Sequence, residues 1–215
     1  MKILYRDQDI TVCIKPPALL SESTPDKTGL ADLIAAENGG YVGTIHRLDR
    51  GVGGIMVYAN HPRAAAALSR DVQEHRLCKE YLAILHGIPE KREDTLCDLL
   101  FHDRRQNKTF VVTRERAGVK TAILEYVLQK TAKTDAHGVL SLVRVKLHTG
   151  RTHQIRVQFS SRGHALLGDG KYGAAGDRCP IALYSCKLAF PHPRSGKPMV
   201  FEDTPGGDAW DLFLS

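Results

Sequence analysis

The segment GGIMVYA, from Gly53 to Ala59, constrains the fold of this chain more than any other feature. It is a short apolar run that lies between a glycine-rich turn and Asn60. A run of this length, bounded by turn signals and rich in β-branched and aromatic residues, predicts a buried strand. A buried strand gives rigid support to the loop beside it, so the polar residues just before Gly53 are the first place to look for chemistry.

Strand patterns outnumber helix patterns along the rest of the chain. Residues 3–17, ILYRDQDITVCIKPP, read as strand, polar turn and strand, stopped by Pro16 and Pro17. Further strands are expected at 77–87, near 122–129 and 139–147 as a hairpin around KTDAHG, and at 183–190 and 199–202.

Three segments have helical character. The first spans residues 28–40 and ends at two glycines, and the second is HPRAAAALSRDVQEHR, with Pro62 in its first turn. The third is a short helix in THQIRVQFSSRG, which we expect to be capped by Thr149 or Thr152 and closed by Gly163. Few helices among many hairpin-linked strands predict an α+β fold, with helices packed on a mixed, mostly antiparallel sheet. We expect one domain over residues 1–215.

Composition narrows the class of protein. The chain has 215 residues and a hydrophobic fraction of 42%, which fits a folded globular protein and excludes disorder. The N-terminus lacks the apolar core of a signal peptide, and no stretch approaches the ~18 apolar residues of a membrane span. The five cysteines include no CxxC pair. We therefore expect a cytoplasmic protein without a membrane partner.

Positive charge is concentrated in two segments. The formal net charge is +6, and residues 101–120 carry six basic and two acidic side chains. Residues 144–171 carry six basic groups against one acidic group, whereas the last fifteen residues hold four carboxylates and no Lys or Arg. This distribution suggests a polyanionic partner, although charge runs taken alone more often mark a solvated surface.

The stretch TIHRLDRGVGG places Asp49 between Arg47 and Arg50, directly before a glycine-rich turn. Taken alone, this pattern is also that of a turn in which Asp49 caps a backbone N–H. The glycines at 51, 53 and 54 favour the functional alternative, because they let the backbone approach a ligand closely.

A second polar cluster is LHTGRTHQIRVQ, in which Arg151 lies at a predicted helix start. Ile155 and Phe159 are four residues apart and should face the core, which leaves Arg151 and Arg156 free to point elsewhere. The alternative is that both are ordinary solvated arginines.

Tyr81 lies in the predicted strand of KEYLAILHG. A strand tyrosine usually packs in the core, but it can also form an aromatic platform on which a nucleobase stacks.

Three histidines near basic residues raise the alternative of a metal site, namely His46, His148 and His153. They have few carboxylate partners and no HxH or HxxxH spacing, so we expect no metal.

Several motifs in chain order resemble those of the RluA-type RNA pseudouridine synthases. HRLDRGVGGIMVYA resembles the family's catalytic signature, KEYLAILHG its Lys-x-Tyr strand, and TGRTHQIRVQ its third motif almost residue for residue. LYSCKLAFPHPRSGKPMVF is similar to the C-terminal strand segment, and DQDITVCIKPPALL to the opening strand before Lys-Pro. The resemblance covers residues 3–201 and implies a stand-alone catalytic domain without the S4-like RNA-binding domain.

The resemblance implies a role for three residues. Asp49 takes the place of the essential aspartate, Tyr81 that of the tyrosine that stacks on the target uracil, and Arg156 that of the arginine that pairs with the aspartate. The reaction breaks the uridine N1–C1′ bond, turns the base and joins C5 to C1′, without a metal or nucleotide cofactor. An opposing arginine keeps a carboxylate ionised, and a flipped base needs a shaped pocket with an aromatic wall.

Asp49 could attack the base ring, attack C1′ or assist elimination through a glycal, and the sequence leaves these routes open. Arg47, Arg50 and Arg151 are the candidates for substrate binding, because basic side chains outside the pocket hold RNA phosphates. The expected partner is structured RNA, either ribosomal or transfer RNA, and the expected state is a monomer.

Two departures from the family pattern stand near these motifs. Val52-Gly53 replaces the usual Thr-Ser, and Leu183-Tyr184-Ser185 replaces the usual Leu-His-Ala. They keep open a second hypothesis, in which the protein is an RNA-binding relative with weak or no catalysis. A metal-dependent phosphoesterase using the histidines is the third hypothesis.

Overall fold

The computed structural model describes residues 1–173 and 176–214, apart from the side chain of Asp208. In chain order the elements are β1 (Lys2–Arg6), β2 (Ile10–Lys15), α1 (Leu30–Asn38), β3 (Gly43–Thr44), β4 (Gly53–Ala59), α2 (Pro62–Gln73), β5 (Cys78–His86), β6 (Glu93–Asp103), β7 (Lys108–Val112), β8 (Val119–Thr134), β9 (Gly138–Leu147), α3 (Gln154–Ser160), β10 (Leu183–Pro191), β11 (Pro198–Glu202) and α4 (Asp208–Leu214). The chain divides into two compact units, residues 1–79 with 184–205, and residues 80–183 with 206–215.

The first unit has a sheet of strand order β1-β2-β4-β10, with β11 beside β10 and β3 beside one end of β4. Its pairs are antiparallel except β4 with β10, which run parallel where Gly53 and Gly54 lie opposite Tyr184 and Ser185. Every residue of β4 is buried, which confirms the prediction from its apolar run.

The core of the first unit lies between this sheet and α2, and its members are Ile10, Val12, Ile55, Val57, Ala59, Ala64, Leu68, Leu77, Leu188 and Phe190. Helix α2 begins at Pro62, as predicted, and the ring of His61 accepts a hydrogen bond from Ala64 N. Helix α1 ends as predicted, with Gly39 in the left-handed conformation at φ 70°.

The second unit has the strand order β5-β9-β8-β6-β7. The β8–β9 hairpin was predicted, but both strands are longer than expected, and β6, β7 and α4 were not predicted. Its core includes Leu100, Ala122 and Val157, and the ring of Phe159 meets that of Tyr126 edge-on at 5.3 Å. Helix α3 therefore presents its apolar side to the sheet, as predicted for Phe159.

The predicted cap of α3 was wrong. The residue before the helix is His153, which is left-handed at φ 54°, and no side chain caps the first turn. The hydroxyl of Thr149 instead accepts from Ile123 N at 2.8 Å and donates to Gln154 Oε1 at 2.8 Å. Thr149 therefore ties the loop before α3 to the Ile123 N–H of β8.

The α+β class with a mostly antiparallel sheet is confirmed. The expectation of one catalytic domain over residues 1–215 stays a prediction. Within residues 1–173 and 176–214, no helix is long and apolar enough to span a membrane.

Candidate active site

The loop that carries Asp49 is fixed on both sides of this residue. Leu48 and Val52 are buried, at 7% and 2% exposure, and Asp49 O accepts a hydrogen bond from Val52 N at 3.0 Å. The hydroxyl of Ser21 bonds to both the N–H and the carbonyl of Leu48 at 3.0 Å. Asp49 is partly exposed between these anchors, so the backbone presents its side chain in a defined direction.

A buried lysine holds the other end of this loop. The ammonium group of Lys15 donates to the carbonyls of Pro16, Leu19 and Arg50, at 3.0, 2.8 and 3.3 Å. Burial lowers the pKa of Lys15 to about 8, and the charge of Asp49 partly opposes this shift. Sequence reasoning noted Lys15 only as part of a Lys-Pro resemblance. A lysine at the end of the apolar run ITVCIK was the available signal.

The glycines after Asp49 are explained by the approach of two strands. Gly54 has φ 123°, and a Cβ at this position would lie 2.4 Å from Ser185 O. Only glycine therefore fits at position 54. A Cβ on Gly53 would lie 3.2 Å from Cδ of Pro17 and 3.3 Å from the ring of Tyr184. The two departures from the family pattern thus face each other across β4 and β10.

His46 is buried, and its Nε2 accepts a hydrogen bond from Val57 N at 3.3 Å. This bond assigns the proton of the neutral ring to Nδ1. Burial lowers the pKa of His46 to about 3, with a smaller contribution from the charge of Lys79. The ring is therefore neutral throughout the physiological pH range and holds the signature loop against β4.

Of the three arginines predicted to bind substrate, Arg47 and Arg50 are exposed and Arg151 is partly exposed, and each guanidinium group has one anchoring contact. Arg47 lies 3.4 Å from Glu22, Arg50 donates from Nε to Ala18 O at 3.1 Å, and Arg151 donates from Nε to Thr121 O at 2.9 Å. Such anchoring orients each side chain at the surface. Their role in substrate binding stays a prediction.

Tyr81 lies in β5, as predicted, and its side chain is buried, with 5% of the residue exposed. This burial fits the core-packing alternative as well as a base-stacking role, so the latter stays a prediction.

Arg156 forms a two-pronged ion pair with Asp169 in the second unit. Its Nε and Nη2 lie 2.8 and 2.7 Å from the two carboxylate oxygens. Its guanidinium carbon lies 5.2 Å from the ring centroid of Tyr172. Burial alone would raise the pKa of Asp169, but Arg156 and the backbone N–H groups of Lys171 and Tyr172 lower it below its usual value.

Sequence reasoning missed Asp169, although GDGKYG has the composition of a tight turn that exposes one carboxylate. The expectation that Arg156 is free of the core was wrong in part, because this side chain is largely buried against Asp169. The pairing of Arg156 with Asp49 stays a prediction.

The histidines considered as metal ligands have other contacts. His148 lies 2.8 Å from Glu125, and His153 bonds to the hydroxyl of Tyr172 at 2.9 Å. Among the described residues, the group whose ligand atoms approach within 4.8 Å of one another is instead Asp7, Asp9 and His192. In that group Asp9 already pairs with Arg194 at 2.9 Å, so a protein cation meets its charge.

Comparison with known proteins shows which family this chain resembles. The family described as RNA pseudouridylate synthase matches residues 9–161. An uncharacterized RNA pseudouridine synthase of Aquifex aeolicus is 34% identical, over 94% of this chain and 68% of that protein. The ribosomal large subunit pseudouridine synthase D of Zymomonas mobilis is 29% identical, again over 94% of this chain and 68% of that protein.

Solved structures agree with the sequence comparison. The human RNA pseudouridylate synthase domain containing 1 superposes with a TM-score of 0.78 at 25% identity, covering 95% of this chain and 83% of that one. The family match and the similar proteins therefore define an RNA-modifying isomerase. The chain belongs to the RluA-type RNA pseudouridylate synthase family, which confirms the resemblance inferred from its motifs.

Proposed function

We propose that this protein isomerises a specific uridine of ribosomal or transfer RNA to pseudouridine, with Asp49 as the essential catalyst. The observation that carries the proposal is the fixed loop around Asp49, held by Ser21, Lys15 and the buried Val52. Ribosomal RNA is favoured, because a relative at 29% identity is named a ribosomal large subunit pseudouridine synthase. We expect the protein to act as a monomer in the cytoplasm.

The chemistry requires an ionised carboxylate at a fixed position. The N1–C1′ bond breaks, the uracil turns, C5 bonds to C1′, the hydrogen on C5 leaves as a proton, and N1 takes up a proton, so that the product is an isomer of uridine. Attack on the ring, attack on C1′ and assisted elimination all begin with a carboxylate anion, and the ammonium group of Lys15 holds the backbone beside it through the Arg50 carbonyl. In this proposal Tyr81 stacks on the uracil, and Arg156 supplies the opposing charge.

The arginines Arg47, Arg50 and Arg151 contribute phosphate contacts outside the pocket in this proposal. Their anchored guanidinium groups, which are at least partly exposed, support it. Phosphate contacts of this kind position the RNA without reading its sequence.

The test uses Asp49→Asn, which is nearly isosteric and removes only the charge. Release of tritium from RNA labelled at uridine C5 should fall to background, while the affinity for RNA stays within a few-fold. Asp26→Asn, an exposed carboxylate of the same unit, is the matched control and should keep full activity.

Pseudouridine mapping in total RNA, from cells with and without the gene, identifies the substrate. Substantial turnover by Asp49→Asn on that RNA would remove this residue as the catalyst. RNA binding by the wild type without any pseudouridine at any site would favour the non-catalytic relative.

A further inference from the structure

One face of the sheet in the second unit is only partly covered. On this face the neighbouring strands place side chains in register, with Phe101 of β6 opposite Phe110 of β7 and Val119 of β8. The next set along the same face is Leu99, Val112 and Thr121. The opposite face is buried, because Leu100 and Ala122 pack with Val157 of α3. The exposed face is therefore available to a ligand.

Cationic side chains lie over the aromatic rings of this face. The guanidinium carbon of Arg116 is 4.4 Å from the ring centroid of Phe101, and Lys108 Nζ is 5.8 Å from that of Phe110. Arg151 is anchored at the edge of the same face through Thr121 O. Aromatic rings interleaved with cations on an open sheet face are typical of surfaces that bind single-stranded nucleic acid.

A cavity lies between this face and the loop of residues 113–118, which connects β7 to β8. Its volume is about 400 Å³, and its lining residues are Leu99, Glu115, Arg116, Val119 and Thr121. Gly118, at φ 85°, turns the chain at the end of this loop. A cavity at the lower end of the usual size range for small-ligand sites fits one nucleotide unit.

Glu115 is an acidic side chain on a mostly basic surface. It is one of two carboxylates in the basic segment 101–120, and a carboxylate repels phosphate. Glu115 is exposed and lines this cavity, and among the described residues its carboxylate forms no ion pair within 4.0 Å. A carboxylate accepts from two adjacent N–H donors, and guanine presents such a pair at N1 and N2.

We propose that this cavity binds one unpaired guanine of the RNA, stacked on the guanidinium plane of Arg116 with its N1–H and amino group donating to Glu115. The site is a second base-recognition point, separate from the pocket for the target uridine, and it rests on the proposed function only in taking RNA as the ligand. It would select RNA substrates that carry an unpaired guanine.

The experiment uses the full chain with ¹³C-labelled methyl groups, titrated with guanosine, inosine and uridine 5′-monophosphates. Guanosine monophosphate should shift the methyl signals of Leu99, Val112 and Val119. It should bind about tenfold more tightly than uridine monophosphate, as expected for hydrogen bonds to a charged group. Inosine monophosphate, which lacks the amino group, should fall between the two.

Two variants and a control separate base recognition from general attraction. Glu115→Gln should abolish the preference for guanosine, whereas Arg116→Ala should weaken all three nucleotides. Glu93→Gln, an exposed carboxylate at the far end of β6, should behave as the wild type. Equal binding of the guanosine and uridine nucleotides, or shifts spread over other methyl groups, would overturn the proposal.

The same titration on Asp49→Asn keeps this proposal distinct from the catalytic one. Guanosine monophosphate should bind this variant as it binds the wild type. A variant that keeps its turnover but binds guanosine selectively would refute the role of Asp49 and support the guanine site. A variant without turnover and without selective binding would refute the guanine site alone.

Discussion

Substitution of Gly53 by serine tests whether the two departures from the family pattern are linked. A Cβ on Gly53 would lie 3.2 Å from Cδ of Pro17 and 3.3 Å from Cε2 of Tyr184. These distances are shorter than ordinary van der Waals contacts, and φ of Gly53 is not positive, so the cost arises from crowding alone. Overpacking of this kind costs about 1–3 kcal/mol. For a chain of this length, that range corresponds to a fall of roughly 2–12 °C in Tm.

Tyr184→His should relieve this cost, because the smaller ring withdraws from Gly53. By itself the change also removes the hydrogen bond from the hydroxyl of Tyr184 to Asp203. We therefore predict that the effects of the two substitutions on stability are coupled. Gly53→Ser should destabilise the wild type by about 1 kcal/mol more than it destabilises the Tyr184→His background, within the range found for residues in contact.

The assay is urea denaturation of the four proteins of this cycle, with Gly40→Ser as the matched control. Gly40 lies in the same unit, and a Cβ there would meet nothing within 4 Å. Equal losses for Gly53→Ser and Gly40→Ser, or a coupling of zero, would show that Gly53 and Tyr184 vary independently.

The other predictions concern activity and pH. Asp169→Asn should lower the free energy of unfolding by about 3 kcal/mol, because it leaves a buried arginine without its counter-charge. Since the pKa of Asp169 is lowered in the folded state, its contribution is present at neutral pH and lost on acidification, so the gap to the variant should narrow in urea titrations below pH 4. Arg156→Lys should lose most of the turnover, because a point charge does not replace a two-pronged fork, and full activity would argue against that fork. Tyr81→Phe should bind RNA normally and turn over ~10²–10⁴-fold more slowly if its hydroxyl transfers a proton, whereas equal rates would leave stacking as its role. For Lys15, whose pKa falls to about 8 on folding, the unfolded state binds more protons between pH 8 and 10.5, so the stability of the wild type relative to Lys15→Met should rise over that range, and a constant difference would refute the assignment.

The elements that could be predicted are those whose pattern is local. Strand β4 was recognisable because all of its residues are apolar, and α2 because its alanines follow a proline in the first turn. Strand β6 was missed because four acidic side chains interrupt its apolar pattern, and β7 because it is only five residues long. The cap of α3 was wrong because Thr149 bonds to Ile123, a residue 26 positions away, and no local rule contains that partner.

In the candidate site too, residues in local motifs could be predicted, whereas their long-range partners could not. Asp49 was identified from its signature and its glycines, but Ser21 lies 27 residues from the Leu48 it holds, and Lys15 lies 35 residues from Arg50. Asp169 was missed because its pairing with Arg156 depends on how the loop after α3 returns to the helix. The signature residues can be found from local motifs, while the residues that fix their geometry are set by tertiary contacts that the sequence pattern does not contain.

Lys15 illustrates how a buried charge that lowers stability can fix the backbone of the candidate site. Burying an ammonium group disfavours its charged form, as the lowered pKa records, and three carbonyl contacts compensate only in part. An apolar residue at this position would avoid that cost, but it would leave the Arg50 carbonyl without its Lys15 contact and remove the positive charge near Asp49. A catalytic carboxylate on a loop loses rate steeply when it is misplaced, because the gain from positioning depends on a fixed attack geometry. The buried cation therefore holds the backbone beside Asp49 through three carbonyl groups, which a hydrophobic side chain could not do.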